Sequence, residues 1–228
     1  MGELLLQGRP EIAITIRRSA QARRMTLRVS TLDGRVTLTV PRGIGQGEID
    51  AFVTERTDWI RRHVARVAAP QTTGIGDEIP VLGEMRRIVA GSGRGVRLDD
   101  TTLAVPGSPE QVPRKLQAWL KATARSELAF ASDQYAAKLG RSYSKLTLRD
   151  TRSRWVACSS AGGLMYSWRL IMAPAEVLTY VAAHEVAHLQ EMNHSAAFWS
   201  VVETLYGDYR APRAWLRTDG QRLHAYQF

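Results

Sequence analysis

Residues 174–199 read PAEVLTYVAAHEVAHLQEMNHSAAFW and contain three of the five histidines of the chain. Val177, Val181, His184 and His188 recur at helical spacing, so the segment predicts a helix that begins at Pro174. Residues 184–188 form an HExxH motif on this helix. Side chains four residues apart on a helix are separated by about 40° around its axis. Both imidazoles therefore share one face, as two ligands of a single tetrahedral zinc ion must.

Glu185 lies between the two histidines in the sequence and is rotated from His184 by about 100° on a helix. Its carboxylate can then reach a water on the metal without being a ligand. A carboxylate placed in this way is suited to act as a general base. Because a short HExxH pattern also arises by chance, the assignment depends on the helix and on a third ligand.

A catalytic zinc ion needs a third protein ligand and an open position for water. His194 is the preferred candidate, because Asn193 tolerates the left-handed conformation that ends helices and Ser195 can cap the next helix. A helix break at Met192–Asn193 would allow His194 to fold back onto the ion. The alternatives are two acids farther along the chain, Glu203 first and Asp208 second.

The overall composition is that of an ordinary globular protein, with 228 residues, 44% hydrophobic and 23% charged. The net charge is +9, and the basic residues are nearly all arginines spread along the chain. One interpretation is a compositional bias toward arginine. The other is weak contact with an anionic partner, such as a nucleotide, a nucleic acid or an acidic peptide.

A single cysteine, Cys158, excludes an internal disulfide bond and a thiolate-rich metal site. It is disfavoured as a nucleophile, because bound hydroxide would already supply one. Residues 1–6 have neither the basic start nor the apolar length of a signal peptide. There is also no run of about 18 apolar residues. We therefore expect a cytoplasmic protein with no membrane partner.

The first part of the chain is predicted to be rich in strands, since apolar residues alternate at period two. These strands cover residues 12–16, 25–29 and 36–40, with a hairpin turn at Asp33-Gly34 and an end at Pro41. An amphipathic helix is expected from Gln46 to Val67. Short strands are expected at residues 79–82, 86–89 and 102–105.

The second part is predicted to begin with a long helix, because Ser108-Pro109-Glu110-Gln111 has the pattern of a capping box and Gly140 ends the apolar periodicity. Three short strands follow at residues 145–148, 155–159 and 164–171, with a hairpin turn at Gly162-Gly163. After the HExxH helix, Ser195 begins another helix. The pattern predicts an α+β fold, with a β-rich region at 1–107 and a catalytic region at 108–228.

The segment from His184 to Trp199 resembles the signature of the YgjP-like metal-dependent hydrolases, which are related to SprT-like and gluzincin-type metallopeptidases. Residues 153–174 and 24–60 are also similar to that family. The resemblance implies a zincin-like helical catalytic half with a small antiparallel sheet. It also implies that His184, His188 and His194 are zinc ligands and that Glu185 is catalytic.

Two positions depart from the family pattern without touching a proposed ligand. Val156-Ala157 stands where the family usually has Gly-Ser, and Ser167 stands where it usually has Asn. Both changes could alter the substrate groove. The family is described both as peptidase-like and as a nucleotide pyrophosphatase, so the resemblance leaves the substrate open.

The preferred function is a zinc-dependent, metallopeptidase-like hydrolase that acts on a peptide or protein. An extended peptide could lie along the strand near residues 164–170. One alternative is a metal-dependent nucleotide pyrophosphatase of the UTP type. Another is a non-catalytic zinc-binding or nucleic-acid-binding module, which Glu185 disfavours because a structural zinc site needs no general base.

Three further residues have a possible functional interpretation beside a structural one. Arg154 could stabilise an oxyanion or a phosphate, although a solvent-facing arginine is the commoner case. Trp155 and Trp168 are expected in the core rather than against a ligand. His63 and His224 lie far from the HExxH segment in the sequence and have no assigned role.

Overall fold

The computed structural model of the chain describes residues 2–30, 33–65, 71–152 and 154–228. The chain divides into two compact units, Met1–Ala69 and Pro70–Phe228, and each has its own hydrophobic core. Helices and several small sheets confirm the α+β class. The division differs from the predicted boundary near residue 107, because the strands just before that position belong to the core of the second unit.

The first unit is built on a four-stranded sheet with the order β1-β2-β4-β3. Its strands are β1 (Gly2–Leu6), β2 (Ile12–Ser19), β3 (Thr26–Val29) and β4 (Val36–Pro41). The period-two alternation predicted the last three. Strands β3 and β4 pair antiparallel as expected, with Gly34 in the left-handed region at φ 68°. Strand β1 was not predicted, and β2 runs parallel to β4.

Two helices, α1 (Gln46–Glu55) and α2 (Thr57–Ala65), stand where one helix to Val67 was predicted. The break falls at Arg56, with φ −99° and ψ 7°. Next to it, the Thr57 hydroxyl donates a hydrogen bond to the Val53 carbonyl oxygen, which competes with the regular helix bonds. Val67 lies outside the described residues.

The second unit begins with β5 (Gln71–Thr72), followed by a four-stranded sheet with the order β6-β7-β9-β8. The strands of this sheet are β6 (Glu78–Val81), β7 (Glu84–Gly91), β8 (Arg97–Leu98) and β9 (Thr102–Pro106). Leu82 and Gly83 join β6 to β7 with φ values of 49° and 86°, as in a tight hairpin turn. The Leu82 amide also donates to the Ile171 carbonyl oxygen at 2.7 Å, which ties this hairpin to a later segment.

Helix α3 (Val112–Leu139) follows a single 3₁₀ turn at Pro109–Gln111. Ser108 makes no capping hydrogen bond, so the α-helix begins a few residues later than the predicted capping box. It ends as predicted at Gly140, whose φ of 67° suits glycine. The apolar stripe that this helix buries includes Leu116, Leu120 and Leu128.

The small sheet has the order β10-β12-β11. Its strands are β10 (Lys145–Arg149), β11 (Val156–Cys158) and β12 (Gly163–Ser167). It is mixed rather than antiparallel, because the chain reverses twice between β10 and β12 and so leaves them parallel. The third predicted strand ends at Ser167, and a 3₁₀ turn at Trp168–Met172 follows. Since β12 has a neighbour on each side, neither of its edges is free for a peptide strand.

The remaining elements are α4 (Ala175–Ala187), α5 (Ala196–Tyr206), α6 (Arg210–Thr218) and β13 (Tyr226–Gln227). Most of the 13 residues of α4 are buried, as in a helix at the centre of a core. Helices α3, α5 and α6 all pack against α4. Among the described residues, no helix has the length and apolar character needed to cross a membrane.

Arg169 links the C-terminal segment to the rest of the second unit. Its guanidinium pairs with the Asp150 carboxylate at 2.7 Å and donates to the carbonyl oxygens of Leu223 and Tyr226, each at 2.9 Å. It also lies 4.7 Å from the centre of the Trp168 ring. Strand β13 completes this closure by pairing with β5 in parallel.

Candidate metal centre

The chain reverses direction directly after the HExxH helix. Helix α4 ends at Ala187, earlier than the predicted break at Met192–Asn193, and the Glu191 amide donates to the Ala187 carbonyl oxygen at 3.0 Å. Asn193 does not adopt the expected left-handed conformation. Instead its side-chain oxygen accepts a hydrogen bond from the Ser195 amide at 3.1 Å, as in an Asx turn.

Ser195 caps the next helix, as predicted, by accepting a hydrogen bond from the Phe198 amide. The turn and the cap together return His194 to α4. The Nε2 atoms of His184 and His194 are 3.1 Å apart. One ring nitrogen from each of His184, His188 and His194 lies within 4.8 Å of the other two.

The three imidazoles offer the donor set that a zinc ion takes. Two nitrogens bound to one tetrahedral zinc ion at its usual bond length are separated by about 3.3 Å, close to the 3.1 Å between His184 and His194. His188 donates a hydrogen bond from Nδ1 to the Glu191 carbonyl oxygen at 2.9 Å, which leaves its Nε2 lone pair for a metal. The residues present therefore fit a metal ion.

Burial favours the neutral, metal-binding form of the His184 and His188 rings. Burial, together with the charges of His188, His194 and Arg213, lowers the pKa of His184 to about 3. Burial also lowers the pKa of His188. An imidazole must be neutral to offer a lone pair, so both residues hold the state that metal binding needs.

Glu185 is buried beside the histidines, with 2% of its surface exposed. Its Oε1 atom is 3.9 Å from His184 Nε2, and its Oε2 atom has no hydrogen-bond partner in the structure. Burial raises the pKa of this carboxyl group to about 8. An unpaired buried carboxylate is costly for folding, so such a group is a marker of a functional site.

Helix α5 supplies an aromatic wall against the three histidines. Phe198 is fully buried and stacks on His188, with ring centres 4.4 Å apart. The ring of Trp199 lies 5.7 Å from both His184 and His194. Packing of this kind restricts the ring rotations that would otherwise separate the three nitrogens.

A cavity of about 680 Å³ is lined in part by His188. The loop after α3, the β11–β12 turn and the segment after α4 line the rest of it, with Arg141, Ser159 and Met192 among their residues. The cavity beside His188 is therefore largely polar.

The alternative third ligands do not join the histidines. Glu203 is exposed on α5. Asp208 pairs with Arg210 at 2.7 Å. Among the described residues, the grouping of potential metal ligands around the HExxH motif contains three histidines and no acid.

The other residues singled out from the sequence have mainly structural surroundings. Burial and the Glu185 charge raise the pKa of Cys158 to about 11, so its thiol is a poor nucleophile at neutral pH. Trp168 is fully buried, and Trp155 stacks on His224 with ring centres 4.8 Å apart. Arg154 is exposed.

His63 belongs to the first unit, where its ring stacks on Trp59. Its Nδ1 atom donates a hydrogen bond to the Trp59 carbonyl oxygen at 2.7 Å. These contacts are internal to helix α2 and explain the residue without a role in the metal centre.

Sequence reasoning missed helix α6 and with it Arg213. The guanidinium carbon of Arg213 lies 4.3 Å from the centre of the Trp199 ring, and Trp199 contacts two of the three histidines. The signal that could have revealed the helix is Pro212 in its first turn, preceded by Asp208, which accepts a hydrogen bond from the Arg210 amide.

Comparison with known proteins connects this geometry to one family. Residues 23–219 match the family described as YgjP-like, metallopeptidase domain. The search of curated proteins gave no significant match. Among solved structures, the chain is similar to the metallopeptidase zymogen of Pyrococcus abyssi abylysin, with 23% identity, 41% of this chain and 90% of that chain covered, and a TM-score of 0.33.

Proposed function

The chain belongs to the YgjP-like metallopeptidase-domain family, and we propose that it is a zinc-dependent hydrolase in which Glu185 is the general base. The observation that carries this proposal is the buried Glu185 carboxylate, whose Oε2 atom has no hydrogen-bond partner, beside three converging histidines. Members of a metallopeptidase family use a metal ion. We propose that this metal is zinc, that the base is Glu185 and that the substrate is a peptide or protein.

His184, His188 and His194 would hold the zinc ion through their ring nitrogens. When bound, zinc lowers the pKa of its water toward about 7 and polarises the group that is attacked. A site with three protein ligands leaves one position open, as catalytic zinc sites do, whereas structural sites are usually closed by four. This distinction favours catalysis over a non-catalytic zinc-binding or nucleic-acid-binding module.

Glu185 would move the proton in this reaction. Its carboxylate would accept a proton from the attacking water and return it to the leaving group. The side chain is buried, and its Oε2 atom has no hydrogen-bond partner that would compete for the proton. A nearby metal cation would favour the charged form of the carboxylate and so oppose the effect of burial on its pKa.

We propose a peptide or protein as the substrate, in keeping with the metallopeptidase family. The cavity beside His188 offers room for the part of the substrate next to the cleaved bond. The peptide would not pair with β12, because both edges of that strand are occupied.

A second candidate is a metal-dependent nucleotide pyrophosphatase of the UTP type. The observation that favours it is Arg141, which lines the cavity together with serine hydroxyl groups. Arginine and hydroxyl groups are common partners of phosphate oxygens. The net charge of +9 is compatible with the same substrate.

One side-by-side assay separates these candidates. Zinc-loaded protein is incubated with a denatured protein and, separately, with a panel of nucleoside triphosphates. Cleavage of the denatured protein supports the peptidase, and release of pyrophosphate supports the second candidate. Glu185→Gln should abolish most of whichever activity is found. Activity that survives this substitution, or no activity on either substrate class, would contradict the proposal.

A cytoplasmic location belongs to the same proposal, because a chain with one free cysteine suits a reducing compartment. Fractionation of cells that express the untagged protein would test it. Recovery from a secreted or membrane fraction would contradict it.

A further inference from the structure

The ring of Trp199 contacts both Arg213 and two of the three histidines. Arg213 is in helix α6, and its guanidinium carbon is 4.3 Å from the centre of the Trp199 ring. That ring is in turn 5.7 Å from the rings of His184 and His194. The Arg213 side chain is exposed, so a ligand at the metal centre can reach it from solvent.

The aromatic residues around Arg213 form a continuous stack. Trp199 stacks on Tyr209 with ring centres 4.9 Å apart, and Tyr209 stacks on Tyr180 at 6.2 Å. Tyr180 is buried in α4, one helical turn before His184. A guanidinium on the face of a tryptophan gains a cation–π interaction, which restricts where this long side chain goes.

No acidic side chain among the described residues balances the charge of Arg213. Its neighbour Arg210 pairs with Asp208 at 2.7 Å, but Arg213 forms no ion pair within the part of the chain that the structure describes. An unpaired cation beside a site for a divalent cation is repelled by it, unless an anion lies between them.

We infer that Arg213 binds an anionic group of the substrate, a phosphate or a carboxylate, beside the metal centre. The inference rests on the proposed function, since it assumes that the histidines mark the place where substrate is cleaved. A guanidinium suits both groups because its planar N–H donors match two oxygens at once. Arg213 would then select for charged substrates, whether a polyphosphate or a peptide with a nearby carboxylate.

The test measures binding of two small probes to the full chain, with and without zinc. Inorganic tripolyphosphate represents phosphate substrates, and tricarballylate represents carboxylates. Titration calorimetry gives the Kd, and tryptophan fluorescence reports on the ring under Arg213. We expect Arg213→Gln to weaken at least one probe by about tenfold, the scale of one lost charged hydrogen bond. The Kd of Arg213→Lys should lie between the values for wild type and Arg213→Gln.

Arg217→Gln is the matched control, because it removes the same charge one turn later in α6 and Arg217 is also exposed. It should change both Kd values by less than about twofold, as expected for a screened surface charge. The probe that loses affinity in Arg213→Gln identifies the source of the anion. Equal affinities in Arg213→Gln and wild type, an equal loss in Arg217→Gln, or no binding of either probe to wild type would overturn the inference.

The measurement without zinc separates this inference from the proposed function. If zinc content and hydrolysis fail but Arg213-dependent probe binding persists, the proposed function is wrong and the anion site stands. If hydrolysis depends on Glu185 while Arg213→Gln binds both probes like wild type, the function stands and the anion site is wrong. Melting temperatures of all variants verify that each protein is folded.

Discussion

The Nε2 atoms of His184 and His194 lie 3.1 Å apart although ten positions separate the residues in the chain. Two imidazole nitrogens at this distance need a proton or a metal ion between them, since two lone pairs repel each other. A neutral imidazole in its Nε2–H tautomer can supply that proton, and a metal ion can replace it when both Nε2 atoms offer lone pairs. The two nitrogens therefore have the spacing that two ligands of one metal ion require.

Loss of His194 should remove the metal. We expect His194→Ala to lose most of the zinc found in the wild type, because two histidines on one helix leave the ion with too few protein ligands. Elemental analysis of purified protein measures this directly. Glu203→Gln is the control, since Glu203 was the first alternative ligand in the sequence and should keep about one zinc per chain. The reverse pattern would replace His194 by Glu203 as ligand.

Glu185→Gln should separate catalysis from metal binding. The substitution keeps the size of the side chain but removes the proton acceptor, and general bases typically contribute about 10²–10⁴-fold to rates. We expect a loss of that size in kcat, with zinc content unchanged and a melting temperature at or above that of wild type. Glu176→Gln makes the same change at an exposed position of α4 and should leave kcat intact. Loss of zinc in Glu185→Gln would instead make Glu185 a ligand.

Much of the candidate site could be predicted from the sequence because its signals are local. The i, i+4 spacing places His184 and His188 on one face of a helix, and Ser195 has the residue type of a helix cap. The sequence does not determine how the chain brings His194 back to α4. Asn193 can end a helix through its backbone or accept a hydrogen bond through its side chain. Tertiary packing decided between the two.

The parts of the fold that were not predicted have short or misleading local patterns. Strands β5 and β13 have two residues each and pair across more than 150 positions, so no local periodicity marks them. The break at Arg56 lies inside an unbroken amphipathic pattern. Helix α6 is strongly amphipathic, but it has only nine residues, so the helical pattern repeats for little more than two turns.

Gly83→Ala should destabilise the protein through the start of helix α4. A Cβ atom at Gly83 would lie 2.9 Å from Pro174 Cα, just before α4, and Gly83 has φ 86°. Gly93→Ala is the control, because Gly93 has φ 87° but nothing within 4 Å of the added atom. Both variants bear the cost of a left-handed alanine, so their difference in free energy of unfolding isolates the contact and should be about 1–3 kcal/mol. Equal melting curves would show that Pro174 moves aside freely.

Arg169→Gln should destabilise the protein far more than loss of a surface ion pair. It leaves two carbonyl oxygens without their donor and half-exposed Asp150 without its partner, and each buried group that loses its hydrogen bond costs about 1–3 kcal/mol. Arg210→Gln breaks an exposed pair with Asp208, so the free energy of unfolding should change little. Urea unfolding of the three proteins gives the comparison. Similar midpoints for both variants would mean that Arg169 does not hold the end of the chain.

His224 should make stability fall in mild acid. Burial, and then the charge of Arg169, lower its pKa from 6.5 to about 4. Between these two values the unfolded chain binds more protons than the folded one, so the free energy of unfolding decreases as pH falls from 6.5 toward 4. His224→Phe preserves an aromatic ring against Trp155 but cannot titrate. Its urea midpoint should therefore decline less between pH 7 and pH 5, and parallel declines would refute the assignment.

The hydrogen bond from the Leu82 amide to the Ile171 carbonyl oxygen has a consequence for truncation experiments. A fragment that starts at residue 108 would contain the whole HExxH motif, yet it would lack the hairpin that supports the start of α4. It would also expose apolar surface that Ile79, Ile88 and Leu103 normally cover, and surface of this kind promotes aggregation. A shortened protein intended for activity assays should therefore retain the strands from residue 71 onward.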